Sequence, residues 1–351
     1  MPERQGADAS HPGGARAVAG APCALRRAML LVGVALGSGA PLARALPTSD
    51  YPNKPVTLTV GFPAGGSTDV IARGLAAALQ RVWNQTVIVE NISGAGGSIG
   101  AQRYLNGKHD GYTLFTSTPI EIIQTPLAMK VKYKSEDFRL IGLMGTSNMF
   151  LLVRPTLEVT TVQELVNLSH KLANGKELSF GSVGRGSGFH LVAEKFVSDV
   201  AVKAIHVPYK GVAPMLADLA GSQIDFAFMT LGGPVMGMIK TGRFKAIGFA
   251  SAQRHPDFPD VPTMDESGLV KNFSYDLWAG LVAAKATPEP IVQQLSAALN
   301  EVLRQPQFRG EIEGSGVTLA SPMTLDEAAE RYAVDVARYR AIAQSIHLQP
   351  E

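Results

Sequence analysis

Cysteine is nearly absent: the 351 residues hold one, Cys23, inside an N-terminal segment that reads as a leader. Beyond that segment the chain has no thiol, which excludes disulfides, cysteine metal sites and a cysteine nucleophile. An excess of one charge is absent too. There are 32 Lys and Arg against 30 Asp and Glu, and residues 1–45 hold five arginines (Arg4, Arg16, Arg26, Arg27, Arg44) with only Glu3 and Asp8, leaving 27 basic and 28 acidic residues beyond. A chain so balanced offers no basic surface for nucleic acid. The seven histidines are scattered, with no H-E-x-x-H and no EF-hand acid series, so no metal site is expected. G-x-S-x-G and the P-loop lysine signature are missing as well. With no nucleophile–base pair, metal cluster or cofactor motif, the sequence does not read as an enzyme and needs no cofactor.

What is present begins with the leader. Arg26-Arg27 precede an apolar run from Ala28 to Leu36, and Ala43-Arg44-Ala45 forms an A-x-A cleavage pattern. The run is short for a membrane span. The pattern predicts an exported, periplasmic protein cut near Ala45. The general secretory route is favoured, because the residues flanking Arg26-Arg27 fit a twin-arginine signal poorly.

Beyond Tyr51-Pro52, apolar runs alternate with amphipathic ones. Strands are expected at Val56–Val60, Thr86–Val89, Thr113–Ser117, Phe138–Leu143, Phe150–Val153, Leu178–Gly181, Ile205–Val207, Phe226–Met229 and Lys245–Ala250. Helices are expected at 68–83, from Ser98 to Leu105, from His190 to Val197, from Pro288 to Val302 and from Glu327 to Gln344. Repeated β–α order implies a mostly parallel sheet covered by helices. About 300 residues are many for one core. Two lobes joined by crossing strands near Ser147–Met149 and Ser274–Asp276 fit better, with residues 46–147 plus 275–351 in one lobe and 148–274 in the other.

The most informative segment is Gly61-Phe62-Pro63-Ala64-Gly65-Gly66-Ser67-Thr68-Asp69. It joins the strand Val56–Val60 to a helix whose stripe is Ile71, Leu75, Leu79 and Val82. Gly65 and Gly66 allow backbone N–H groups to turn inward, Ser67 or Thr68 can cap the helix, and the helix N-terminus attracts an anion such as a carboxylate. A plain β–α turn is the alternative. A second polar glycine turn, Gly181 to His190, carries Ser182, Arg185 and Ser187. Ser182 and Ser187 can donate hydroxyl hydrogen bonds, Ser187 can also cap a helix, and Arg185 can grip a carboxylate or stay solvated. His190 reads as a hydrogen-bonding helix-start residue rather than a base. Gly94-Ala95-Gly96-Gly97 lacks the sixth-place glycine of a dinucleotide fingerprint and reads as a turn packing on the first loop. Thr116-Ser117-Thr118 ends a strand, where open α/β sheets put ligands; a helix cap is the alternative.

Taken together, Tyr51–Pro55, Gly61–Asp69, Val89-Glu90-Asn91 with Gly94–Gly97, Asp110–Leu114, Gly184–Leu191, His206–Gly211, Asp260–Thr263 and Trp278–Leu281 come in the order of one family. The chain resembles the Bug-type periplasmic solute receptors of tripartite tricarboxylate transporters. That resemblance implies a two-lobed periplasmic binding fold, type II-like, each lobe a mostly parallel sheet flanked by helices, closing on a small organic acid. It implies that Phe62, Ala64, Gly65, Gly66 and Thr68 hold one end of the ligand, while Ser182, Ser187 and Arg185 reach it from the other lobe; Thr118, at its strand end, is a further candidate contact. Asp69 is a helix-start residue first and a partner for a ligand amino group second. After Phe228 the family often carries a polar pair such as Asp-Asn; here Met229-Thr230 stands there, which favours a less polar acid. The implied partners are that acid and the permease subunits in the membrane, with the receptor a monomer. An exported sensor adaptor docking on a signalling kinase is the runner-up.

Overall fold

The two long apolar runs predicted on either side of Gly145 are one strand. In the computed structural model, which describes residues 51–172, 176–231, 233–314 and 317–350 (without the side chains of 233, 234 and 314), Phe138 to Val153 is continuous. The leader, Cys23 and the cleavage site lie outside the described residues. The chain runs β1 (Val56–Val60), α1 (Ser67–Trp83), β2 (Val87–Asn91), α2 (Ser98–Leu105), β3 (Thr113–Ser117), a π-helical turn at Ile120–Gln124, α3 (Thr125–Ala128), β4 (Phe138–Val153) and α4 (Val162–Lys171). It continues through β5 (Leu178–Ser182), α5 (Gly188–Asp199), β6 (Ala204–Pro208), α6 (Val212–Ala220), β7 (Phe226–Thr230), α7 (Gly233–Lys240) and β8 (Lys245–Ala250). It ends with β9 (Asp276–Ala284), α8 (Glu289–Leu303), α9 (Pro306–Gly314), β10 (Thr318–Leu319) and α10 (Leu325–Ser345).

The β–α units make the parallel ladders expected of them: β1 pairs with β2 and β3, and β5 with β6 and β7. The long strands β4 and β9 are added antiparallel. The partners of β4 change part-way along it. Phe138 to Asn148 pairs with β9, whereas Met149 to Val153 is flanked by β7 and β8. Register shifts beside Leu140 and Leu143 mark bulges, which bend a strand without ending it. The polar stretch Thr146-Ser147-Asn148 therefore lies inside the strand.

α1 buries Ile71, Leu75, Ala78 and Leu79 on the stripe that its spacing predicts, and left-handed Asn84 ends it. Its core joins Val56 and Leu58 of β1 to Val292, Leu295 and Leu299 of α8. A second core centres on Phe150, Phe180, Phe226 and Phe228 and runs on to Trp278, Tyr332 and Tyr339. α10 packs back across β4 and α5. Five helices, α3, α4, α6, α7 and α9, were not expected from the sequence. In α6, Pro214 lies within the first turn, where proline is tolerated, and α7 carries Gly233, Pro234 and Gly237.

Candidate functional site

A cavity of about 230 Å³ lies at the start of α1. α1 contributes Ser67, Thr68 and Ile71; Thr118 follows β3; Gly145 and Ser147 come from β4; and Leu277, Trp278 and Ala279 come from β9. Val212 and Leu216 of α6, Met229 and Thr230 of β7, Leu231, Val235 of α7 and Val317 complete the lining. Five hydroxyl side chains thus share the wall with a larger apolar surface, and among the described residues no charged side chain lines it. Of the sequence candidates, Thr68, Thr118 and Thr230 are brought together here.

The first loop supports this cavity without its glycines lining it. The N-cap is Gly66, which has no side chain to offer, so neither Ser67 nor Thr68 caps the helix; both lie inside its first turn. First-turn N–H groups have no acceptor within the helix. They carry the partial positive charge of its N-terminus beside the cavity. Gly65 N–H donates to Asp69 Oδ2 at 2.8 Å, and Gly66 N–H points to the Pro63 carbonyl at 3.4 Å. Asp69 is buried and also accepts from Arg73 Nε at 2.9 Å and Asn91 Nδ2 at 2.9 Å, while Asn91 Nδ2 donates as well to the Phe62 carbonyl at 3.0 Å. Burial pulls the Asp69 carboxyl up, but hydrogen bonds from Arg73, Gly65 and Asn91 more than offset this and hold it below the usual range. Asp69 therefore braces the loop from within, and Phe62, Ala64, Gly65, Gly66 and Asp69 stand outside the lining.

The second loop forms a different hollow. Ser182 is buried, with Oγ 2.7 Å from His206 Nε2 and 3.0 Å from the Gly184 carbonyl. Ser187 caps α5, accepting from His190 N–H at 3.3 Å. His190 Nδ1 accepts from Gly186 N–H at 3.0 Å, and its Nε2 lies 3.3 Å from Glu194. Glu194 is the carboxylate partner that the sequence reading missed; its i,i+4 spacing from His190 was the signal. The two imidazoles stack with centroids 3.9 Å apart. Burial, then the neighbouring His190 and Arg185, push His206 down to about 4, so it stays neutral. Arg185, His190, Glu194 and His206, with Ile346 and Leu348, surround about 250 Å³ apart from the first cavity.

A family model described as the tripartite tricarboxylate transporter family receptor matches residues 71–348. The chain belongs to that receptor family. Protein BugT of Bordetella pertussis is 30% identical over 325 residues, 91% of this chain and 97% of that one. The solved structure of the periplasmic binding protein BugD aligns with TM-score 0.70 and 30% identity, covering 86% of this chain and all 100% of that one. An R. palustris protein solved with adipate aligns with TM-score 0.72 and 27% identity over 86% of this chain and 100% of that one. The receptor thus has the two-lobed α/β fold of periplasmic binding proteins, and its family is one of solute receptors, not an enzyme class.

Beneath the receptor's cavity sits a residue that the sequence reading passed over. Glu121, on the π-helical turn, is fully buried, and one oxygen, Oε2, meets both the N–H of Thr118 at 3.0 Å and its Oγ at 2.5 Å. The Thr-x-x-Glu spacing is that of a capping box and was legible. Burial pushes this carboxyl up to about 8 against the pull of its Thr118 hydrogen bonds. Trp278, another lining residue, donates from Nε1 to the buried Asp335 at 2.8 Å, and Asp335 also accepts from Arg331 Nε at 2.9 Å. That network backs the cavity wall.

Proposed function

We propose that this receptor takes one small organic carboxylate into the cavity at the start of α1 and delivers it to the membrane permease subunits of a tripartite tricarboxylate-type transporter. The observation behind this reading is the lining itself: an uncharged wall of hydroxyl and apolar groups set against a helix N-terminus. The N–H groups of the first turn and the hydroxyls of Thr68, Thr118 and Thr230 meet the carboxylate, and Ile71, Leu216, Leu277 and Trp278 enclose an apolar body. At about 30 Å³ per water, the 230 Å³ hold roughly eight waters' worth of ligand. A second carboxylate would be buried without a cationic partner, at several kcal/mol, so the ligand carries one. Ser182 and Ser187 hold the opposite lobe's loop in shape, and Arg185 faces the second hollow.

The lobes are residues 46–147 with 275–351, and 148–274. The change of β4 partners at Asn148/Met149 supports one crossing; Tyr275, bonded to both Met149 N and Ala250 O, supports the other. The chain is exported, loses its leader near Ala45, works as a monomer in the periplasm and catalyses nothing. A transporter family makes delivery to a permease the better reading than docking on a kinase. Calorimetric titration with the monocarboxylates butanoate to nonanoate and benzoate, beside their amides and adipate, tests the binding claim. At least one monocarboxylate should bind, with its amide and adipate at least a hundredfold weaker. An amide that binds as tightly as its acid would overturn the carboxylate reading, and adipate binding as tightly as hexanoate would overturn the single-charge claim.

A further inference from the structure

We infer that Glu121 is a positioning residue that couples ligand binding to a proton: neutral Glu121 turns the Thr118 hydroxyl toward the cavity as a donor, and ionised Glu121 turns it away. This rests on the reading of the cavity as a carboxylate site.

The argument is a count of hydrogen-bond capacity. A threonine hydroxyl has one proton to give and two lone pairs to receive. Thr118 Oγ already receives the Ile120 N–H, at 3.2 Å. Its second neighbour is Glu121 Oε2, 2.5 Å away. If Glu121 is ionised, Oε2 can only accept, so Thr118 spends its proton inward. What remains on Thr118 is a lone pair, which repels a carboxylate. If Glu121 carries its proton on Oε2, that proton fills the second lone pair of Thr118, and Oε2 still receives the Thr118 N–H at 3.0 Å. Both lone pairs of Thr118 are then occupied and its own proton is free for an acceptor. Thr118 lines the cavity, so that acceptor is a carboxylate there.

The surroundings favour the neutral form. Glu121 Oε1 is buried with no hydrogen-bond partner, a state far costlier for an ionised oxygen than for the carbonyl of a neutral acid. Gly61 and Gly97 press on the side chain and bring no polar group of their own; a Cβ on Gly97 would fall inside contact distance of Glu121 Cγ. The Tyr133 hydroxyl donates to the main-chain carbonyl of Glu121 at 2.6 Å and not to its carboxyl, whose polar neighbours are Thr118 and the Ser117 hydroxyl at the end of β3; burial outweighs their pull. α10, packed against the same turn, brings Tyr339 and Asp335, the latter ion-paired with Arg331. Among the described residues no cation pairs with the Glu121 carboxyl. A bound carboxylate and an ionised Glu121 would also repel each other across Thr118, so both effects have one sign: ligand binding retains or takes up a proton at Glu121.

The test is titration calorimetry of the intact mature chain with butanoate to nonanoate and benzoate at pH 6.5, 8 and 9.5, in phosphate and in Tris at pH 8. The acids are fully ionised throughout, so any proton exchanged belongs to the protein. The wild type should bind most tightly at pH 6.5, weaken at least tenfold by pH 9.5, and take up a fraction of a proton per ligand at pH 8. Glu121→Gln should bind equally at all three pH values. At pH 6.5 it should bind at least tenfold more weakly than the wild type, because an amide oxygen at the Oε2 position accepts from Thr118 but cannot donate to it. Circular dichroism checks folding at each pH, and the wild-type profile and proton uptake stand alone if the variant does not fold. A wild-type affinity that is level from pH 6.5 to 9.5, or a Glu121→Gln chain with the wild-type profile, overturns the inference and leaves the carboxylate site standing. Silence of every acid at pH 6.5 overturns both.

Discussion

Replacing Asp69 by alanine separates a structural carboxylate from a ligand contact. In the ligand-free chain, Asp69→Ala removes the acceptor for Gly65 N–H and Asn91 Nδ2, both under 3 Å away, and for Arg73 Nε. It also removes a negative charge from the first turn of α1. The Arg73 side chain is about half exposed, so water replaces that partner and the ion pair adds little. Asn91 keeps the Phe62 carbonyl. The loss therefore sits mainly in the Gly65 N–H, half of the Asn91 amide and the helix-end charge, on the order of 1–3 kcal/mol in all. For a chain of this size that lowers the melting temperature by roughly 2–5 °C. Thermal and urea denaturation of wild type and variant, without any ligand, is the assay. The loss should shrink at low pH, since a depressed carboxyl stabilises the fold above its unfolded value and loses that effect as pH falls through the folded one. A variant with unchanged ligand-free stability but lost ligand affinity would refute the brace and make Asp69 a direct contact.

Three further outcomes are expected. Glu121 binds its proton more tightly folded than unfolded, so ligand-free stability should fall as pH rises from the ordinary 4.5 toward 8, by a few kcal/mol at about 1.4 kcal/mol per pH unit, and Glu121→Gln should flatten that slope in urea unfolding. Gly97→Ala should destabilise by about 2 kcal/mol or more, because positive φ and the Glu121 side chain both oppose a Cβ; Gly65→Ala, at φ +82 with open space around it, should cost only about 1 kcal/mol and leave affinity near wild type, as denaturation and titration of the pair can check. N-terminal sequencing of periplasmic material should begin near Leu46, and a mature chain that still carries Arg26 would contradict the leader.

The β–α units were legible because each couples a short apolar run to a glycine turn and an amphipathic stripe, as Val56 to Val82 does. β4 was not, because Gly142 and Gly145 with Thr146-Ser147-Asn148 imitate a loop in sequence, whereas bulges and pairing with β9 carry the strand through them. Thr68, Thr118 and Thr230, which the fold brings to one cavity, could be named from the sequence for a helix start, a strand end and the position after Phe228. The apolar wall could not: Leu216, Leu277 and Trp278 look like core residues, and only the fold brings them beside Thr68. Gly65 and Gly66, expected to present N–H groups to an anion, turn them toward Asp69 and the Pro63 carbonyl in the ligand-free chain, and the proposed site therefore draws on the first turn of α1. Spacing could suggest that Thr118 and Glu121 meet, but not that the carboxyl would be buried without a cation.

The most direct measurement is a crystal structure of the mature receptor with the monocarboxylate that binds most tightly in titration. The carboxylate should lie within hydrogen-bond distance of the first-turn N–H groups of α1 and of the Thr118 or Thr230 hydroxyl, with its apolar body against Leu216, Leu277 and Trp278. A carboxylate seated instead among Arg185, His190 and His206, with the cavity at the start of α1 empty, would contradict the account.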